Sequence, residues 1–243
     1  MKNKIEKLDI LAFGAHPDDV DACAGGLLAK CVKEGLSVGI IDLTSGDNSE
    51  TANGKLRISE SLTSSKILGV KIRKNLRWPD RDIQATNNNE DILVRIIRKY
   101  KPDIAVIPYW EDRHKAHRDT SNLTERAIQS AKYSKIIPRF KAHKVKIILY
   151  YMIHYEFEPN FIFDISNTHD LKMKALFCHK SQMFKKNISG KYTNELLDAD
   201  FIEAWIARSR WYGYKIGVKY GEAYAMRRPT GINTLKSLTN KYV

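Results

Sequence analysis

The decisive stretch of the chain is Leu8-Asp9-Ile10-Leu11-Ala12-Phe13-Gly14-Ala15-His16-Pro17-Asp18-Asp19. The apolar run that Gly14 closes is too short for an ordinary helix and reads as a buried strand. Pro17 suits the first turn of a helix, and Asp18 and Asp19 sit where carboxylates complement the positive end of its dipole. A strand passing directly into a helix is the first half of a βαβ unit.

The pattern continues downstream. A helix is expected over Val20 to Glu34, a strand over Val38 to Leu43, a helix over Lys55 to Leu68 and a weaker strand over Ile72 to Trp78. A helix over Glu90 to Tyr100, a buried strand over Asp103 to Tyr109 and a helix over Arg118 to Lys132 complete the series. Four strands separated by helices predict a Rossmann-like α/β fold, a mostly parallel sheet with helices on both faces. Beyond it, Lys146 to His154 and Phe161 to Ile165 read as strands, and Asn167 to Lys185 and Asp198 to Ile216 as helices. No repeat or low-complexity linker divides the chain, so residues 1–243 are expected to form a single domain.

If the strand order is 3-2-1-4, the first and fourth strands are neighbours. Their carboxyl ends then flank the topological switch point where such sheets bind ligands. The fourth strand is followed by Glu111-Asp112-Arg113-His114-Lys115-Ala116-His117. Two segments that are distant in sequence, one holding His16 and Asp19 and the other His114 and His117, would therefore share one crevice. Each pair is spaced i,i+3, so both members can point the same way. A Gly-x-Gly-x-x-Gly turn is absent after the first strand, which argues against a nicotinamide cofactor.

Composition narrows the alternatives. Hydrophobic content of 43% and charged content of 28% fit a soluble globular chain rather than a disordered one. No apolar stretch approaches the roughly 20 residues of a membrane span, and no signal-peptide core is seen, so a cytoplasmic location is expected. Cys23, Cys31 and Cys178 show no Cys-x-x-Cys spacing and read as small core residues. The net charge of +13 raises the prospect of an anionic partner. Its densest part, Lys132 to Lys146, reads most simply as a solvated basic loop. It lacks dense aromatic interleaving, and no nucleic-acid motif occurs, so no nucleic-acid partner is expected.

The His, Asp, His set is a sound shell for a divalent metal with an open position for water. Imidazole favours zinc over magnesium.

Ala15-His16-Pro17-Asp18-Asp19 with a downstream His-x-x-His resembles the LmbE or PIG-L family of zinc-dependent N-deacetylases. Within it the chain is most similar to the bacillithiol-pathway enzymes acting on N-acetylglucosaminyl malate. The likeness runs through residues 9–14, 38–44 and 111–114, Pro159-Asn160-Phe161, Asp164-Ile165-Ser166 and residues 217–222. It implies His16, Asp19 and His117 as Zn2+ ligands and Asp18 as the general base. His114 would serve as the imidazole that stabilises the oxyanion or protonates the leaving amine. It further implies that Arg57, Asp80 and Arg81 border the substrate, with Arg57 suited to bidentate capture of a carboxylate. The implied substrate is a small anionic amino-sugar conjugate, and relatives suggest a homo-oligomer, often a hexamer.

The second motif departs from the family's usual His-Pro-Asp-His. Ala116 stands where the family has an Asp that orients the first His, and Asp112 or Asp119 is left as a substitute. Two alternatives follow. One is a catalytically weakened zinc protein of the same fold that holds a polyanion, either nucleic acid or an anionic metabolite. The other is a deacetylase of a different amino-sugar conjugate.

Overall fold

The computed structural model describes residues 7–48, 53–81, 83–183, 199–229 and 231. The first strand, β1 (Ile10–Gly14), is buried along its whole length and leads into α1 (Asp19–Lys33). Next come β2 (Val38–Thr44), α2 (Gly54–Leu68), β3 (Ile72–Trp78), α3 (Asn87–Tyr100), β4 (Ile104–Pro108) and α4 (Lys115–Ala131). Local chemistry sets several helix ends. The Asn53 side chain caps α2 and Thr86 caps α3, each accepting a backbone N–H three residues on. Gly69 closes α2 in the left-handed conformation at φ 72°.

The chain continues through β5 (Ile147–Tyr151), β6 (Phe161–Asp164), α5 (His169–Leu176), α6 (Lys180–Met183), α7 (Ala199–Lys215) and β7 (Gly221–Ala225). The strands form one seven-stranded sheet in the order β3-β2-β1-β4-β5-β7-β6. From β3 to β5 the pairing is parallel, and β7 runs antiparallel to both β5 and β6. The expected 3-2-1-4 order is present, and β1 is the neighbour of β4 in the register Ile10 to Ile104.

Side chains alternate across the sheet. Leu11 and Phe13 of β1 enter the core under α3 and α4 with Leu93, Ile97, Leu123 and Ala127. Ile10 and Ala12 face the opposite core with Leu27, Leu28 and Leu176. Both faces are thus covered, as a parallel sheet requires.

Two expectations change. Beyond α4 two strands are expected, and the structure has a third, β7, lying between β5 and β6. It is a five-residue buried segment with no polar alternation to signal it. The single helix expected over Asn167 to Lys185 is interrupted between α5 and α6, where His179 turns into the interior and reaches Asp21 at 3.2 Å; residues 184 and 185 lie outside the described residues. Glu222 is a structural carboxylate. It accepts from the backbone of Gly26 and Leu27 at 3.0 and 2.8 Å and pairs with Lys172 at 2.8 Å. A side chain at Gly26 would collide with Ile165 and Glu222, so that glycine permits the close approach of α1. Among the described residues no helix is long and apolar enough to cross a membrane.

Candidate metal and catalytic centre

The carboxyl ends of β1 and β4 bring the two motif segments together. His16 and Asp19 leave the β1 end. His114 is the N-cap of α4, and His117 lies in that helix's first turn. Ring centroids are 5.1 Å apart for His16 and His114, 5.3 Å for His16 and His117, and 4.8 Å for His114 and His117. His16, Asp19 and His117 are buried, and their ligand atoms lie within 4.8 Å of one another.

Orientation decides whether this group suits a metal. Asp19 Oδ1 is 3.5 Å from His16 Nδ1 and 3.4 Å from His117 Nε2, so one nitrogen of each ring faces the same carboxylate oxygen. The other nitrogen of each ring is held by a further carboxylate, His16 Nε2 by Asp80 at 2.7 Å and His117 Nδ1 by Asp112 at 3.0 Å. Carboxylates behind imidazole ligands fix ring orientation and raise ligand basicity. Asp19 is further tied by accepting the His16 backbone N–H at 2.9 Å.

The electrostatics agree. Burial works against charge on His16, but Asp19 and Asp80 outweigh it and push that imidazole up to about 10. His117 is raised as well, with Asp19 and Asp112 overcoming burial. Burial likewise opposes ionisation of Asp19, yet the two imidazoles hold its carboxyl well below the usual range. Asp19, Asp80 and Asp112 therefore favour positive charge at the two rings that they face. Two imidazole nitrogens and a carboxylate oxygen form a donor set that fits a divalent ion of the zinc type.

Asp18 points elsewhere. It is 5% exposed and accepts from Arg57 Nη2 at 2.7 Å, while Arg57 Nη1 donates to the Gly46 carbonyl at 3.2 Å. Gly46 has φ 68°, and a side chain there would strike the Arg57 guanidinium, so glycine is required for the arginine to lie flat against the loop. Arg57 is thus already engaged by Asp18 and the backbone. Asp80 lies on His16, and Arg81 is exposed in the turn beside it.

Neither proposed substitute orients the His114 ring. Asp112 accepts only its backbone N–H, at 2.8 Å, and Asp119 pairs with Lys115. The ring instead accepts the Ala116 backbone N–H on Nδ1 at 3.3 Å. Burial, followed by repulsion from His16 and His117, lowers His114 to about 4. Sequence reasoning missed His154. Its Nδ1 is 2.9 Å from Asp112 Oδ1 and its ring stacks on His117 at 5.4 Å. A histidine just past the next parallel strand was the available signal.

Residues 11–128 match the PIG-L family, described as GlcNAc-PI de-N-acetylase. A diacetylchitobiose deacetylase from Thermococcus kodakarensis is 29% identical over 195 residues, covering 74% of this chain and 71% of the relative. The crystal structure of a conserved protein from Thermus thermophilus superposes with TM-score 0.84 at 29% identity, covering 93% of this chain and 97% of that one. The N,N'-diacetylchitobiose deacetylase from Pyrococcus horikoshii, complexed with its inhibitor MPG, gives TM-score 0.77 at 25% identity, covering 93% and 86%.

Proposed function

We propose that this chain, whose residues 11–128 match the PIG-L family, is a zinc-dependent hydrolase that removes the acetyl group from an N-acetylated amino sugar. The observation that carries the reading is the division of labour between adjacent carboxylates. Asp19 faces His16 and His117, whereas Asp18 is turned aside and held at 2.7 Å by buried Arg57.

His16, Asp19 and His117 would hold the metal, which when bound would supply a water of pKa ~7 and polarise the amide carbonyl. Asp18 is the base that takes the proton from the attacking water, and Arg57 keeps its carboxylate in place. The His114 ring uses Nδ1 as an acceptor, which leaves the proton on Nε2 and makes that atom a donor to the developing oxyanion. The water oxygen bonds to the acetyl carbon, the C–N bond breaks, and the proton held by Asp18 passes to the departing amine.

The favoured substrate is an anionic conjugate such as N-acetylglucosaminyl malate. The net charge of +13 and exposed Arg81 beside Asp80 support it. Arg57 supports it less, because its Nη1 and Nη2 donate to Gly46 and Asp18. That engagement favours a second reading, a neutral N-acetylated oligosaccharide, the substrate type named for the Thermococcus and Pyrococcus relatives. Initial rates on N-acetylglucosaminyl malate and on diacetylchitobiose, measured side by side, separate the two. In the same assay Asp18→Asn should retain metal and lose at least about a hundredfold in turnover. Undiminished deacetylation by that variant would overturn the assignment of the base.

A further inference from the structure

The end of the sheet opposite the crevice carries a feature that the catalytic reading does not use. Between α4 and β5 the chain presents Lys132, Lys135, Arg139, Lys141, Lys144 and Lys146, all exposed. No acidic residue occurs from Arg126 to Tyr155. Exposed Lys7, Lys99 and Lys101 adjoin this loop, because they flank the amino ends of β1 and β4. The link is direct: Lys146 and Lys7 bracket Asp103 at 3.2 and 2.8 Å, and His143 reaches the Pro102 carbonyl at 2.7 Å. The nearby Asp9 is engaged by Ser37. Asp103 and Asp9 are therefore bound acids beside a field of nine cations.

The loop is not a loose solvated run. The buried Arg98 guanidinium, on α3, donates to six carbonyls, two in the last turn of α4 (Ser130, and Ala131 at 3.0 Å) and four in the loop, among them Tyr133 at 2.7 Å and Phe140 at 3.0 Å. One arginine thus fixes the backbone that displays the charges. The same fixed backbone holds two aromatic rings outward, Tyr133 at 54% and Phe140 at 37% exposure, with the Lys132 ammonium 4.9 Å from the Tyr133 ring.

We infer that this basic, aromatic-bearing face docks the protein on an anionic lipid bilayer surface. Eight of the nine cations are lysines. Lysine is a point charge suited to a diffuse negative surface potential, whereas recognition of individual nucleic-acid phosphates draws on the bidentate fork of arginine. Exposed Tyr and Phe beside lysines suit the headgroup boundary, where an amphipathic ring keeps its polar edge wet. Because the face lies at the amino ends of β1, β4 and β5, docking leaves the crevice at their carboxyl ends open to bulk water. The inference is therefore independent of the chemistry in the crevice and is compatible with a water-soluble substrate.

The test is co-sedimentation of the full chain with large unilamellar vesicles. One set is phosphatidylcholine alone and the other contains about a third phosphatidylserine, each at low and high sodium chloride. Binding is expected only to the anionic vesicles and should fall steeply with salt. The variant Lys132→Glu/Lys135→Glu/Lys141→Glu should lose more than a hundredfold in partitioning, about fivefold or more per reversed charge, with its deacetylase rate unchanged. Tyr133→Ser/Phe140→Ser should weaken binding without altering its salt dependence. Failure to sediment with anionic vesicles, equal sedimentation with neutral ones, or retention of oligonucleotides in place of vesicles would overturn the inference.

Discussion

Asp112 Oδ1 lies 3.0 Å from His117 Nδ1, on the edge of the ring turned away from Asp19. The same carboxylate accepts the His114 backbone N–H at 2.8 Å and lies 2.9 Å from His154 Nδ1, and its second oxygen accepts the His154 backbone N–H at 3.0 Å. Burial opposes its ionisation, but these donors outweigh it and hold the carboxyl far below its ordinary value. One side chain therefore joins both ends of the second motif to the end of β5. The carboxylate that the motif lacks at Ala116 has a counterpart behind His117, the proposed ligand, and not behind His114.

Replacing Asp112 with Asn is expected to weaken metal affinity by about 10–100-fold, the usual effect of losing a carboxylate behind a histidine ligand. Competition with a chelator of known affinity measures it. The circular dichroism spectrum of the metal-loaded variant should match that of the native chain. Unchanged affinity would show that Asp112 supports the loop and not the ligand.

Arg73 predicts a stability effect. Its guanidinium is bidentate on Asp42 at 2.9 Å, pairs with Asp21 at 2.8 Å and donates to the Pro17 carbonyl, all in the interior. It thus anchors the turn that carries His16, Asp18 and Asp19. Arg73→Met leaves two buried carboxylates without their cation and should cost roughly 3–5 kcal/mol, measured by urea unfolding at neutral pH. Arg73→Lys should recover only part of the loss, since an ammonium cannot span Asp42 and Pro17 together.

Much of this architecture was legible because apolar runs and caps act locally. Leu8 to Gly14 reads as a buried strand, and the expected 3-2-1-4 order brings the His16 and His117 motifs to adjacent strand ends. What stayed hidden depends on which charged group meets which. Arg73 read as one polar residue in a weak strand, although it neutralises acids from α1 and β2. Arg57 read as a free anion binder because its partner, Asp18, is 39 positions away. β7 was invisible for a different reason: five residues buried without alternation carry no period, and their place between β5 and β6 is set by tertiary pairing.

Ala116 is 4% exposed and packs into the core beneath α4, while its N–H already occupies His114 Nδ1. Ala116→Asp puts back the carboxylate of the His-Pro-Asp-His pattern but places it among apolar neighbours. We expect a loss of about 1–3 kcal/mol in stability and no gain in turnover. Urea unfolding and kcat at matched metal content check both. A rise in kcat would mean that the backbone bond does not replace the missing carboxylate.

His169 sets a pH dependence away from the crevice. Its ring is buried, lies face to face with Tyr220 at 3.6 Å, and leaves Nε2 without a hydrogen-bond partner among the described residues. Burial, reinforced by Lys172, lowers this imidazole from 6.5 to about 4. As pH falls, the unfolded chain binds the proton first, so the native state is penalised between about 6.5 and 4. Stability is complete above that window, declines within it by at most about 1.4 kcal/mol per pH unit, and loses no more through this group below it. His169→Phe keeps a flat ring against Tyr220 and removes the titration. The difference in unfolding free energy between native chain and variant should be constant above pH 6.5 and should move in the variant's favour as pH drops toward 4. Carboxylates common to both proteins cancel in that difference. Parallel curves across the window would show that His169 takes up its proton equally in the folded and unfolded chain.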